Sequence, residues 1–175
     1  RAVNSALAAG CEPVLVVTGH QREQVEALLR KRPVTLVHNP DYAAGLSTSL
    51  ATGLAALPET VDGAVVLLGD MPRVDSQVLE RLLAAFDPLE GRAICVPTFN
   101  GKRGNPVLWS RRLFAEMAGV KGDVGARHLI GEHAELVCEV AMPDAAVLTD
   151  VDTPETLERL RGETIRIGDG QGSTK

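Results

Sequence analysis

Three stretches of the chain carry acidic or hydroxyl side chains where chemistry is plausible. The sharpest is Gly69-Asp70-Met71-Pro72, which directly follows the apolar run Ala64 to Leu68. A carboxylate at the carboxyl end of a buried strand sits where α/β sheets bind their ligands. Mg2+ takes one or two carboxylates together with phosphate oxygens, so Asp70 suits a metal–nucleotide site. An Asp there could equally close a turn or cap the next helix, although Asp75 is better placed for that. The second stretch is Leu148-Thr-Asp150-Val-Asp152-Thr153-Pro154. Carboxylates at i and i+2 of an extended segment point the same way, so Asp150 and Asp152 could face one site. The alternative is that Asp152 or Thr153 caps the helix that follows. Two Asp-bearing turns at different element ends are more telling as a pair, because a metal clamp draws ligands from separate loops.

The third stretch is Asn39-Pro-Asp-Tyr-Ala-Ala-Gly45-Leu46-Ser47-Thr48-Ser49. Gly45 permits close backbone approach, and the hydroxyls cluster at a helix start that could hold a phosphate, a ribose or a base edge. An ordinary capped helix would look similar. Two cationic loops complete the set: Asn100-Gly-Lys102-Arg103-Gly104-Asn105-Pro106 and Gly122-Asp-Val-Gly-Ala-Arg127. Either could receive an anionic substrate or be a solvated turn. The histidines, His20, His38, His128 and His133, have no zinc spacing, and no Ser–His–Asp or Cys–His set is apparent. Phosphoryl-type transfer needs neither, since a metal and positioning supply most of its catalysis.

The elements that must position these residues alternate apolar strand-like runs with helical patterns, which predicts an α/β fold. Its sheet is expected to be mostly parallel and Rossmann-like, with helices on both faces. Strands are expected at Pro13–Thr18, Val34–Val37, Ala64–Leu68, Ala93–Val96 and Pro106–Trp109, with edge strands at Leu136–Val140 and Ala146–Leu148. Helices are expected at Arg1–Gly10, with Val3, Leu7 and Ala8 on one side, and at Gln21–Lys31, Ser47–Leu57 and Ser76–Phe86. Shorter helical segments follow at Arg111–Ala118 and Gly125–Glu132, and a last helix runs from Thr153 to Arg161. The unbroken apolar run at Ala64–Leu68 reads as a strand buried on both faces. One domain over residues 1–162 and a disordered tail over 163–175 account for the chain. A doubly wound domain would place a strand before the first helix, so the sheet is expected to lack its first strand.

Composition narrows the partners. Of 175 residues, 45% are apolar and 23% charged, a globular balance, and 18 basic against 23 acidic residues give a net charge of −5. A nucleic-acid surface would need the opposite sign. No run approaches the ~20 apolar residues of a membrane span, and no signal peptide opens the chain. A reducing cytoplasm is the expected setting. Cys11, Cys95 and Cys138 form no disulfide framework; the last two sit in apolar runs and read as buried strand residues.

In order along the chain, His38-Asn-Pro-Asp-Tyr-Ala-Ala-Gly-Leu-Ser-Thr-Ser49, Gly69-Asp-Met-Pro72, Arg103-Gly-Asn-Pro106, Gly122-Asp-Val-Gly-Ala-Arg127 and Val151-Asp-Thr-Pro154 resemble the molybdenum cofactor cytidylyltransferases. That family belongs to a nucleotidyltransferase group that includes the molybdenum cofactor guanylyltransferases. The resemblance implies transfer of CMP from CTP to the terminal phosphate of molybdopterin, with release of pyrophosphate. It implies Mg2+, with Mn2+ as the alternative ion, held by Asp70 and Asp152 as the catalytic carboxylates. Gly45, Leu46, Ser47, Thr48, Ser49 and Gly69 would lie beside the nucleotide. Arg103, Gly104, Asn105, Pro106 and Arg127 would face the pterin substrate, and a molybdenum hydroxylase would be the recipient partner. The family's opening loop, Leu-Ala-Ala-Gly-x-Ser-x-Arg-Met-Gly followed by Lys, does not occur; Leu7-Ala-Ala-Gly10 lacks the residues that should follow. The chain by itself is therefore expected to be impaired. The alternatives are a guanylyl- or sugar-phosphate nucleotidyltransferase of the same fold, or a non-catalytic cofactor-binding chaperone.

Overall fold

The computed structural model describes residues 1–122 and 125–148. Asp123, Asp150, Asp152, the expected helix from Thr153 and the expected tail lie outside the described residues. Within them, helices alternate with strands as expected. Helix α1 (Ala2–Ala8) leads to β1 (Leu15–Thr18), and α2 (Arg22–Leu29) leads to β2 (Thr35–His38). Helix α3 (Leu46–Ala55) precedes β3 (Gly63–Val66), and α4 (Ser76–Ala85) precedes β4 (Ile94–Phe99). A hairpin then runs through β5 (Lys102–Arg103) to β6 (Val107–Ser110). Short helices α5 (Phe114–Gly119) and α6 (Leu129–Glu132) lead to β7 (Val137–Ala141). Among the described residues no helix is long and apolar enough to cross a membrane.

The larger sheet is mixed. Strands β3 and β4 both run antiparallel to β6, which lies between them, and so run in the same direction as each other. Strand β7 joins the other edge of β4 in parallel, while β1 and β2 form a separate parallel pair. The antiparallel strand arises because β4 turns back through Asn100 and Gly101, both at positive φ, instead of crossing over through a helix. Side chains alternate across the sheet, so the apolar run of β4 fills two cores at once. Cys95 packs with Leu79 and Leu82 of α4 and Ala6 of α1. Ile94 and Val96 pack on the opposite face with Leu54 of α3, Met117 of α5 and Ile130 of α6. Helices therefore cover both faces, as expected for the class.

Three expectations need correction. Strand β3 is half-buried rather than buried on both faces, because only β6 flanks it among the described residues. Residues 145–148 form a 3-10 turn and not a strand; the Asp144 carboxylate accepts from the Ala146 N–H at 2.7 Å and closes the chain into a turn. In α1 the buried residue is Ala6, while Ala8 is exposed, because the Ser5 hydroxyl donates to the Val74 carbonyl at 2.8 Å and sets which side meets α4.

The segment after β7 straps the substrate-loop candidate in place. Met142 N–H donates to Thr98 O, Asn105 N–H to Val147 O, and Gly104 N–H to Pro97 O, all within 2.9 Å. Gly104 is required here by close approach, since a Cβ would overlap the Val147 carbonyl oxygen. On the other face, His133 Nε2 lies 2.7 Å from a carboxylate oxygen of Glu116 and braces the end of α6 against α5. That hydrogen bond, with the nearby charges of Glu116, Glu135 and Glu132, raises the imidazole pKa above its usual value despite an opposing desolvation effect.

Gly104→Ala is expected to lower unfolding stability by about 1–3 kcal/mol through forced displacement of the strap. Urea denaturation measures it, and an unchanged midpoint would contradict the close approach. For His133 the stabilisation is present below its unfolded pKa of about 6.5 and is lost as pH rises through the raised folded value. The melting-temperature gap between the unsubstituted protein and His133→Gln should be widest near pH ~5.5 and close towards alkaline pH. A gap that widens with pH would refute the brace.

Candidate active site

The head of α3 is built around Asn39. This side chain is 1% exposed, and each of its polar atoms is used. Its Nδ2 donates to Thr48 Oγ1 at 2.9 Å and to Ser49 Oγ at 3.0 Å. Its Oδ1 accepts from the Asp41 N–H at 2.9 Å, an Asx turn that starts the loop back towards the helix. Its backbone N–H donates to Thr18 O at 2.8 Å and extends the β1–β2 ladder by one residue. Thr48 Oγ1 in turn points at Asp41 O and Gly45 O, at 3.0 and 2.9 Å. Gly45 enters the helix at φ 112°, a region that favours glycine. The result is a fixed helix N-terminus whose positive dipole end and hydroxyl cluster face the loop between β2 and α3.

Beside it, Thr18 ends β1. It is buried, and its Oγ1 has no hydrogen-bond partner among the described residues. His38 Nδ1 lies 3.2 Å from Thr18 O. The Tyr42 ring is exposed and tilted against His20, with centroids 6.1 Å apart. Thr18 was not among the residues singled out from sequence, and Asn39 opened the third stretch without a role of its own. The available signals were a hydroxyl ending an otherwise apolar run, and an Asn set two residues before Asp41.

The cationic loops meet this helix through a chain of contacts. Ser47, itself buried, donates its N–H to Gly122 O at 3.3 Å. Arg127, a few residues on, donates through a guanidinium nitrogen to Arg103 O at 3.2 Å. Arg103 Nε donates to the Glu139 carboxylate at 2.7 Å, across the end of β4. Gly45 to Ser49, Arg127 and Arg103 thus belong to one connected region. Gly104 and Pro106 are buried and used in packing, and Asn105 is half-buried with its N–H given to the strap. In that loop the charged groups facing solvent are Lys102 and Arg103.

Asp70 stands apart. It is exposed beyond the carboxyl end of β3, with no hydrogen bond or ion pair among the described residues. Its turn is nonetheless held from below, because Met71 and Val74 are buried in the core and the Asp75 carboxylate caps α4 by accepting from Val78 N–H. A Cβ at Gly69 would meet nothing within 4 Å, so packing inside the chain does not demand glycine there. No cluster of three or more His, Cys, Asp or Glu able to hold a metal occurs among the described residues. The one further ligand expected from sequence, Asp152, lies outside them. A single free carboxylate at the strand end fits a cation that is otherwise coordinated by substrate oxygens and water.

Comparison with known proteins gives the family of the chain. The family described as "MobA-like NTP transferase domain" matches residues 1–137. The chain is 26% identical over 148 residues to the molybdenum cofactor cytidylyltransferase of Escherichia coli K12, covering 83% of this chain and 72% of that protein. It is 29% identical over 164 residues to the nicotine blue oxidoreductase of Paenarthrobacter nicotinovorans, covering 91% and 80%. The crystal structure of Rv0371C from Mycobacterium tuberculosis H37Rv, in complex with manganese, is 27% identical with a TM-score of 0.71, covering 90% of this chain and 84% of that one. The ordered motifs, the α/β sheet with helices on both faces and the match over residues 1–137 together make this chain a member of the MobA-like NTP transferase domain family.

Proposed function

We propose that the protein transfers CMP from CTP to the terminal phosphate of a molybdopterin-type cofactor. The observation that carries this is Asp70, exposed beyond the end of β3 and without a partner among the described residues, whose neighbour Gly69 is open to an incoming ligand. The similarity to the E. coli cytidylyltransferase favours cytidine and molybdopterin as the substrates.

In this reading the nucleotide lies across the head of α3. The helix N-terminus and the Ser49 hydroxyl meet its polar groups, while Asn39 keeps those hydroxyls oriented. A phosphate oxygen of the acceptor attacks the α-phosphorus of CTP in line. The new P–O bond forms as the bond to the β-phosphate breaks, and pyrophosphate carries away the electron pair. Arg103 and Arg127 attract the acceptor phosphate, with Glu139 holding Arg103 until that anion arrives. A bound divalent cation would supply charge neutralisation at the transferring phosphate, with Asp70 and Asp152 as its protein ligands. The manganese complex of the similar mycobacterial protein supports a divalent-metal site in this fold.

The test is pyrophosphate release by the full-length protein given CTP or GTP, a divalent cation and molybdopterin. Turnover with CTP should exceed that with GTP and vanish on chelation. Asp70→Asn should lose at least about 100-fold in kcat with nucleotide affinity changed only a few-fold. Equal turnover by Asp70→Asn would remove the carboxylate from the chemistry. Preference for GTP would convert the reading to guanylyl transfer.

A further inference from the structure

We infer that Cys95 and Cys138 are an oxidation site, closing into a reversible disulfide between β4 and β7. The parallel register sets these two residues directly opposite one another. Neighbouring strands lie about 4.8 Å apart, which falls inside the Cα separation that a disulfide spans. Both side chains project to the same face of the sheet, into the core lined by Leu108, Met142 and Val147. Cys11, the third cysteine, follows α1 and packs against the same core, but lies outside the β4–β7 register.

The two sulfurs differ in access. Cys95 is fully buried, whereas Cys138 is only partly buried and is the one a small oxidant reaches first. Hydrogen peroxide would take two electrons from Cys138, leaving a sulfenic acid and one water. Cys95 then attacks that sulfur, the S–S bond forms, and the sulfenic oxygen leaves as a second water with the Cys95 proton. In sum, two thiols and one peroxide give one disulfide and two waters. Burial, with Cys138 alongside, pushes the Cys95 thiol up to about 12. The closing step is therefore slow at neutral pH and quickens as pH rises. The bond would tie β7, and with it the strap on Gly104, to the strand leading to Arg103.

The full-length protein treated with hydrogen peroxide should lose about 2 Da by intact mass spectrometry, and dithiothreitol should restore it. Peptide mapping should find Cys95 joined to Cys138. The mass loss should persist in Cys11→Ala and disappear in Cys138→Ala, and closure should be several-fold faster near pH ~9 than near pH ~7. Sulfinic or sulfonic acid on Cys138 with no linked peptide would overturn the inference, as would a link that involves Cys11. Because the mapping reads the unsubstituted protein, the result stands even if a cysteine variant fails to fold.

Discussion

Asn39 sits where β2 ends and the loop to α3 begins, and its buried side chain donates two hydrogen bonds and accepts one. A buried amide is stabilising only when its partners are all present, and leaving one unmade costs roughly 1–3 kcal/mol. That all-or-none character is what makes it a positioning device. The loop 40–45 cannot shift without breaking Asp41 N–H to Oδ1, and α3 cannot rotate without pulling Thr48 and Ser49 off Nδ2. The backbone N–H of the same residue is fixed to β1. One side chain therefore sets the distance between the strand ends and the helix that is proposed to receive the nucleotide. From there the contacts run through Ser47 to Gly122, and through Arg127 to Arg103.

An acidic chain that binds a triphosphate must gather donors locally, since its net charge of −5 repels the ligand at long range. The proposed site would do this with few lysines. It relies on a helix start, hydroxyls on the first turn and two arginines, one of which is neutralised by Glu139 before any ligand arrives. Fixed dipoles of this kind need no reorganisation when charge moves from the acceptor oxygen to the leaving pyrophosphate. Asp70 is the counterpart: an exposed carboxylate that would repel phosphate unless a cation stood between them.

Much of this was legible in the sequence, for identifiable reasons. Buried strands read directly because Ile94 to Val96 and Val107 to Trp109 are apolar on both faces. Asp75 read as a cap because its position before a leucine-rich helical repeat leaves few alternatives. The half-buried state of β3 did not read, since Ala64 to Val66 are apolar whether or not a second strand lies alongside. Ala146 to Leu148 failed because a single hydrogen bond from the Ala146 N–H to the Asp144 carboxylate outweighs the strand preference of a short apolar run. The role of Asn39 was hidden for a similar reason: its three partners lie two, nine and ten residues away and meet only once α3 folds back. Gly104 read as part of a substrate-facing or solvated loop, and the carbonyl of Val147 that requires it comes from 43 residues further on.

Hydrogen–deuterium exchange of the full-length protein, with and without CTP and a divalent cation, tests the central claim most directly. If the nucleotide lies across the head of α3 and meets the turn after β3, amides of residues 45–49 and 69–71 should become protected, while those of α2 and β7 stay unchanged. Protection confined to other segments, with 45–49 exchanging at the same rate in both states, would contradict it.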